Sequence, residues 1–402
     1  MTGTGFAQLI PVLLSPILTR IYSPKIYGEY ATIITISTIL TIISSLRYDL
    51  SIIRSRGRIQ IFTTTLLSFF INLIFCIITL IISICFYEEI NNLINIDQKK
   101  LLFTIPLIIF LNGIHQICIS VLNKGRDYSK ISRDLILNSS SNSFLNVTLS
   151  FFHIGSLTLM FSLLLSRIIS LMALTKSVLY QIKDLRISLK LSRLPIKLIA
   201  IKNIDMPTYS TLEVLFGEVN RKIMYVYFTI FFSLEITGAY FLVNRILSMP
   251  ISVLANSFSK VFFQNYVEVK NKKRELTRTW LKLGSFSAPI FIIFYLLIND
   301  IIKVGFGNNW IIAGDIAKVL IPFFFISLVF GSTNTSHIAL KLQKYSFLIS
   351  IASLITKFVV FIILGDQRYN LITTLNCIVL IDIFFILIMN FIALKKADKN
   401  GY

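Results

Sequence analysis

The chain has 402 residues, of which 55% are apolar and only 14% charged, with a formal net charge of +20. A soluble domain carries about 25% charged residues, so this balance excludes a water-soluble globular protein and leaves the bilayer as the solvent for most of the chain. In a soluble chain the basic excess would point to nucleic acid. Here it sits at the ends of apolar runs, and no nucleic-acid partner is expected.

A helix crosses the hydrocarbon core with roughly 20 apolar residues, each rising about 1.5 Å. Runs of that kind fall at 2–21, 28–46, 61–87, 101–122, 135–153 and 155–179, then at 207–231, 238–257, 280–299, 314–338, 345–364 and 369–392. Twelve spans nearly exhaust the length, so the chain reads as an all-α integral membrane protein with no separate soluble domain. The fifth run holds Asn138-Ser139-Ser140-Ser141-Asn142-Ser143, which is polar for lipid and is expected to face other helices or water. The seventh, with Glu213, Glu218, Asn220, Arg221 and Lys222, is equally weak by hydropathy alone.

Charge orients this layout. With both termini in the cytoplasm, the cytoplasmic segments hold 24 Lys and Arg and the external segments 6, the bias that membrane insertion imposes on short loops. The segment 22–30 (Tyr22-Ser23-Pro24-Lys25-Ile26-Tyr27-Gly28-Glu29-Tyr30) between the first two spans also returns at 232–240 (Phe232-Ser233-Leu234-Glu235-Ile236-Thr237-Gly238-Ala239-Tyr240). Ser, Ile, Gly and Tyr coincide at an offset of 210, and the same offset carries several first-half spans onto second-half spans. The organisation expected is therefore a six-helix bundle at 1–180, a basic cytoplasmic linker at 181–205 and a second six-helix bundle at 206–402. Parallel repeats of this kind are typical of secondary transporters.

Charge inside a span is costly and marks function. Arg167, Arg221 and Arg245 lie deeper in the runs than Lys176, Lys260, Lys282 and Lys318, which stand near run ends and can reach the headgroups. A planar guanidinium suits a phosphate, so an anion site in a cavity between the halves is expected, with Arg221, Arg245, Lys222 and Arg167 as its candidates. The competing reading is internal pairing, because Glu218 stands three residues before Arg221 and four before Lys222, salt-bridge spacing on a helix. Asp382 and Glu213 are the candidates for coupling to an ion, with a satisfied interhelical hydrogen bond as the plainer reading. Cys76, Cys85, Cys118 and Cys377 sit in apolar runs with no paired spacing and read as small core residues. Three histidines offer little for a metal, and no metal or other cofactor is expected. No nucleophile elbow, P-loop or zinc-protease motif occurs and the external loops are short, so no enzyme is expected.

Leu14-Ser15-Pro16-Ile17-Leu18-Thr19-Arg20-Ile21-Tyr22-Ser23-Pro24, with Tyr27-Gly28 following, forms one signature, and Arg47-Tyr48-Asp49-Leu50-Ser51-Ile52 a second. Pro207-x-Tyr209-Ser210, Gly238-x-Tyr240, Arg245-x-Leu247-Ser248-x-Pro250, Val261-Phe262-Phe263-Gln264 and Phe306-Gly307-x-x-Trp310 extend the pattern through the second half. Together they resemble the Wzx-type polysaccharide or O-antigen flippases of the multidrug/oligosaccharidyl-lipid/polysaccharide exporter superfamily. Asp49 stands where such proteins usually carry Glu, and they usually start some ten or more residues earlier, so the resemblance implies a short N-terminus. It marks Arg20, Arg47 and Asp49 as family-motif residues. It implies a V-shaped, MATE-like pair of bundles in the bacterial inner membrane, moving undecaprenyl-diphosphate-linked oligosaccharide. The partners implied are that lipid-linked oligosaccharide, membrane lipids and other polysaccharide assembly proteins. The alternatives are a drug or cation antiporter of the same superfamily, which would want acids rather than bases within the membrane, and a membrane polysaccharide polymerase, which would want a larger external loop.

Overall fold

The computed structural model of the protein describes residues 2–94, 96–152, 154–186, 196–364 and 370–399. His153, residues 187–195 of the expected linker and residues 365–369 of the last expected external loop lie outside them. Helices cover nearly all of the described chain: α1 (Thr2–Leu13), α2 (Ser15–Ile21), α3 (Pro24–Ser44), α4 (Tyr48–Arg54), α5 (Arg58–Cys85), α6 (Tyr87–Ile94), α7 (Thr104–Lys124), α8 (Tyr128–Thr148), α9 (Ser156–Arg186), α10 (Ile196–Lys202), α11 (Thr211–Phe231), α12 (Leu234–Glu268), α13 (Lys272–Phe306), α14 (Ile311–Gly331), α15 (Thr335–Ala339), α16 (Gln343–Leu364) and α17 (Leu371–Lys399). No strand occurs among the described residues.

Nine helices among the described residues are long and apolar enough to cross a membrane by length and composition. The other three expected spans exist as helices of a different character. Polar α8 and α11 each have 21 residues. The first span is broken at Leu14 into α1 and α2, where Pro16 removes a backbone donor from any continuous helix. The expected ninth span, 280–299, is the core of a longer element: α12 and α13 have 35 residues each. Most of the basic segment expected between the eighth and ninth spans is helix: Lys272, Lys273, Arg274 and Arg278 belong to α13, and only 269–271 separates it from α12. Asn271 caps α13 by accepting the Arg274 amide at 2.9 Å, which satisfies one of the free donors of the first turn.

Along α5, Phe70, Ile74, Ile77, Ile81 and Ile84 are exposed at helical spacing, and α13 exposes Phe286, Ile290, Ile293 and Leu296 in the same way. Apolar faces this extensive are tolerated only against lipid. The inward positions hold small and hydroxylic residues instead, such as Ala313 and Ala317 on α14 and Ser162, Ser166 and Ser170 on α9, all buried. Such residues let membrane helices approach closely.

By internal contacts the chain forms two units. The first comprises Met1–Leu14 and Glu29–Lys222, the second Ser15–Gly28 and Ile223–Tyr402. In the first unit α8 runs back along α9, α1 packs on α8, and α5 packs on α7. Ile52, Ile117, Val121, Leu122, Leu171 and Leu174 form a shared apolar core there. In the second unit α14 packs against α12, α13 and α17.

The nine-residue repeat explains itself within the second unit and at the start of α3. Ser23 and Ser233 each cap a helix start, accepting the Ile26 amide at 3.4 Å and the Ile236 amide at 3.2 Å. Tyr30 and Tyr240 are both buried. Gly28 and Gly238 meet at a helix crossing. A Cβ on Gly28 would fall on the Leu234 carbonyl, and one on Gly238 would fall on the Pro24 carbonyl. Leu234 is Pro24 plus the repeat offset, so equivalent residues make equivalent contacts. The Ser, Gly and Tyr that coincide in the repeat thus each have a structural cause, whereas Ile26 and Ile236 contribute only their backbone amides. Backbone cannot yield as a side-chain tip does, so Gly238→Ala should force the crossing apart. Overpacking of this kind costs about 1–3 kcal/mol. The expected result is a clear fall in thermal stability in detergent, with Gly28→Ala producing the same fall.

Candidate functional site

The second motif, 47–52, begins with a backbone reversal: Leu46 and Arg47 have φ of 47° and 58°. This left-handed pair ends α3 and starts α4. Asp49 is buried in the first turn of α4 and accepts the Ser45 hydroxyl at 2.8 Å, a favourable place for a carboxylate at a helix N-terminus. The Arg47 Nε is buried and has no hydrogen-bond partner among the described residues. The Tyr48 hydroxyl donates to the Ala200 carbonyl of α10 at 3.1 Å, and Arg54 pairs with Asp205 at 2.6 Å. Burial, with Asp205 nearby, pushes the Tyr48 hydroxyl above its ordinary pKa. This motif therefore holds the C-terminal end of the expected linker.

The first motif has a comparable role in the second unit. The Arg20 guanidinium donates to the Val304 carbonyl at the end of α13 at 3.3 Å, where a cation complements the helix dipole. The fully buried Trp310 donates its indole N–H to the Thr19 carbonyl at 3.0 Å and meets Tyr27 edge to face at 5.3 Å. The 306–310 motif, distant in sequence, thus seals the first motif.

The anion candidates divide by environment. Arg221 and Lys222 both reach Glu218: Arg221 makes a two-nitrogen ion pair with it, and Lys222 lies at 3.3 Å. The internal pairing considered for α11 is therefore present. It leaves one net positive charge on that turn, with the Arg221 side chain exposed. Arg245 differs. Its Nε is buried, and neither a hydrogen bond to that nitrogen nor an ion pair to its guanidinium occurs among the described residues. The Asn244 amide donates to the Tyr225 hydroxyl at 2.7 Å, and Thr229 and Thr237 hydroxyls lie 3.1 Å apart. These bonds between α11 and α12 fix the rotation of α12 and hence the direction of Arg245. Counting from the helix ends, Arg245 lies about 16 Å and Arg221 about 15 Å along its helix.

Asp382 on α17 is paired with Lys357 of α16 at 2.6 Å, the lysine being 4% exposed. Glu213 is exposed in the first turn of α11. Arg167 stands beside Asp134 on α8, whose carboxylate also binds His115 at 2.7 Å and accepts the Ser170 hydroxyl. Sequence reasoning placed Asp134 in a cytoplasmic segment and missed this group. The available signal was its spacing, four residues before Asn138 and eight before Asn142 on one helix face. Glu29, also missed, accepts the Asp97 amide at 2.9 Å and the Ser156 hydroxyl. No group of three or more metal-ligating residues occurs among the described residues.

The chain is thus all-helical and multi-pass, with Asp382 and Glu218 in ion pairs and the Arg245 Nε without a hydrogen-bond partner among the described residues. The model of the polysaccharide biosynthesis protein family matches residues 17–314, and the chain belongs to that family. No curated protein matches in sequence. Among solved structures, the chain is similar to the lipid II flippase MurJ in an inward closed conformation, with a TM-score of 0.75 and 16% identity over 100% of this chain and 89% of that one. It is also similar to an inward-facing multidrug resistance MATE family transporter of the MOP superfamily, with a TM-score of 0.71 and 12% identity over 98% and 95%. At these identities the likeness is one of fold, and it agrees with the MATE-like fold class expected from the sequence.

Proposed function

We propose that the protein is a flippase that moves undecaprenyl-diphosphate-linked oligosaccharide across the bacterial inner membrane, with both termini in the cytoplasm and no catalytic step of its own. Family membership supports the process, and the fold shared with a lipid II flippase supports the substrate class. The observation that carries the reading furthest is Arg245, a guanidinium deep in a span with no acid beside it among the described residues. Such a group is costly in lipid and is matched by a diphosphate, which accepts its forked donors. Arg221 and Lys222 supply a second, partly neutralised cationic turn. Arg167, also expected at the headgroup, has its charge engaged by Asp134. We keep 1–180 and 206–402 as the two repeat halves, with 181–205 as a basic cytoplasmic linker. Other polysaccharide assembly proteins are its expected partners in the membrane.

The antiporter alternative rests on the MATE-like fold, but a drug cation needs an available carboxylate within the membrane. Asp382 is held by Lys357 and Glu218 by two cations. That leaves Glu213, exposed in the first turn of α11, as the one acid of the three that is not ion-paired among the described residues. Two engaged acids of three favour the anionic substrate. Deletion of the gene should abolish surface glycan while lipid-linked repeat units accumulate on the cytoplasmic leaflet. Normal polymerised glycan in a deletion strain that lacks a redundant flippase would falsify the proposal.

A further inference from the structure

The first unit holds a titratable cluster that headgroup binding does not use. Asp134 lies about 9 Å along α8 from its start, and His115 about 14 Å along α7 from its end. Both oxygens of the carboxylate are engaged: Oδ1 accepts the Ser170 hydroxyl and Oδ2 lies 2.7 Å from the His115 Nε2. An ionised carboxylate only accepts, so that nitrogen carries a hydrogen and donates it. The pair is nearly sealed, with side-chain exposures of 12% for His115 and 1% for Asp134. Arg167, three residues before Ser170 on α9, interacts electrostatically with both. From α7, Cys118 also faces Asp134. α1, which packs on α8, carries no titratable residue. With Arg167 positive, Asp134 negative and His115 neutral, the cluster is balanced.

A polar path adjoins it. Continuing along the Asp134 face of α8 come Asn138 and Asn142, whose amide oxygens are buried with no hydrogen-bond partner among the described residues. Along the antiparallel α9, Ser166, Ser162 and Thr158 recede from Ser170 at the same four-residue step, all buried. Unsatisfied amide oxygens beside a row of hydroxyls are where membrane-buried water is held.

We propose that the His115–Asp134 pair is a proton-binding site that couples transport to the proton gradient, an inference that rests on the transporter reading above. A proton adds to the other ring nitrogen, Nδ1, which makes no hydrogen bond among the described residues, giving an imidazolium held by the Asp134 carboxylate. It leaves from the same atom, and no other bond changes. The donor set selects a proton over a metal ion. Both carboxylate oxygens already accept hydrogen bonds, and a guanidinium stands where it would repel a metal cation. Loading takes the cluster from balanced to a single positive charge. That charge is costly away from water, so the loaded cluster favours the conformation that wets it. Loading on one side of the membrane and unloading on the other moves one proton per cycle.

Two measurements on the full chain test this. In nanodiscs without substrate, infrared difference spectra between about pH 5 and 8, the range of histidine, should show imidazole protonation that disappears in His115→Gln and is altered in Asp134→Asn. In proteoliposomes loaded with undecaprenyl-diphosphate oligosaccharide, an imposed pH gradient should accelerate wild-type flipping. His115→Gln should keep the gradient-independent rate and lose most of the acceleration. A His115→Gln protein that responds to the gradient as wild type does, or spectra with no His115 component, overturns the proposal. Should a variant fail to fold, Ser170→Ala serves instead, since loss of one hydrogen bond to Asp134 must shift the infrared midpoint. If wild type moves no oligosaccharide under any gradient, the flippase reading fails, while the His115 band still decides the proton site.

Discussion

Lys357→Met will cost about 3–5 kcal/mol of stability, the penalty for leaving one member of a buried ion pair without its partner. The lysine is 4% exposed and lies 2.6 Å from Asp382 on the adjacent helix, so its removal strands a carboxylate between α16 and α17. Asp382→Leu should also destabilise, since it removes the carboxylate opposite a buried ammonium. The double variant Lys357→Met, Asp382→Leu should recover most of the loss, because apolar replacement of a whole buried pair is often neutral or better. Thermal denaturation of the four proteins in detergent measures the cycle. Its second readout is transport. If the double variant folds and still responds to a pH gradient, Asp382 is a structural partner and is not an ion-coupling residue. A single variant as stable as wild type would show that water, rather than the lysine, compensates Asp382.

Arg245→Ala will reduce flipping by about one to two orders of magnitude at normal membrane insertion. Hydrogen bonds to a charged group contribute about 1.5–3 kcal/mol, and each 1.4 kcal/mol is a factor of ten in affinity. Arg245→Lys should recover only part of the rate, because an ammonium offers a point charge where a guanidinium offers a fork. Arg221→Ala should be milder, since Glu218 already neutralises much of that turn. Glu218→Gln should cost stability rather than transport, because it leaves Arg221 and Lys222 facing each other. Export per molecule of inserted protein is the deciding quantity. Wild-type export in Arg245→Ala would remove Arg245 from the headgroup site and leave the fold unaffected.

What could be read in the sequence followed the range of the interaction. Hydropathy is a local property, and it located every apolar helix. Pairing within one helix is also local, so Glu218 with Arg221 was visible from spacing alone. The partners Lys357 and Asp382 are 25 residues apart and His115 and Asp134 are 19 apart, on separate helices. Their meeting depends on helix rotation and depth, which hydropathy does not encode. Asp134 was hidden for a further reason: α8 is too polar to mark where the membrane begins, so its acid was indistinguishable from a loop residue. The lengths of α12 and α13 were underestimated on similar grounds, since charged residues continue a helix after the apolar run stops.

The crossing of Gly28 and Gly238 has a consequence for ancestry. Each glycine packs on the residue that precedes the other by four positions, so the contact is self-complementary in the manner of a two-fold interface. A single-copy forerunner carrying Ser-x-x-Ile-x-Gly-x-Tyr would have made this contact with a second copy of itself. Fusion of two such copies would join partners that already fit. A change at either glycine must be answered on the opposite backbone, which has no side chain to trim.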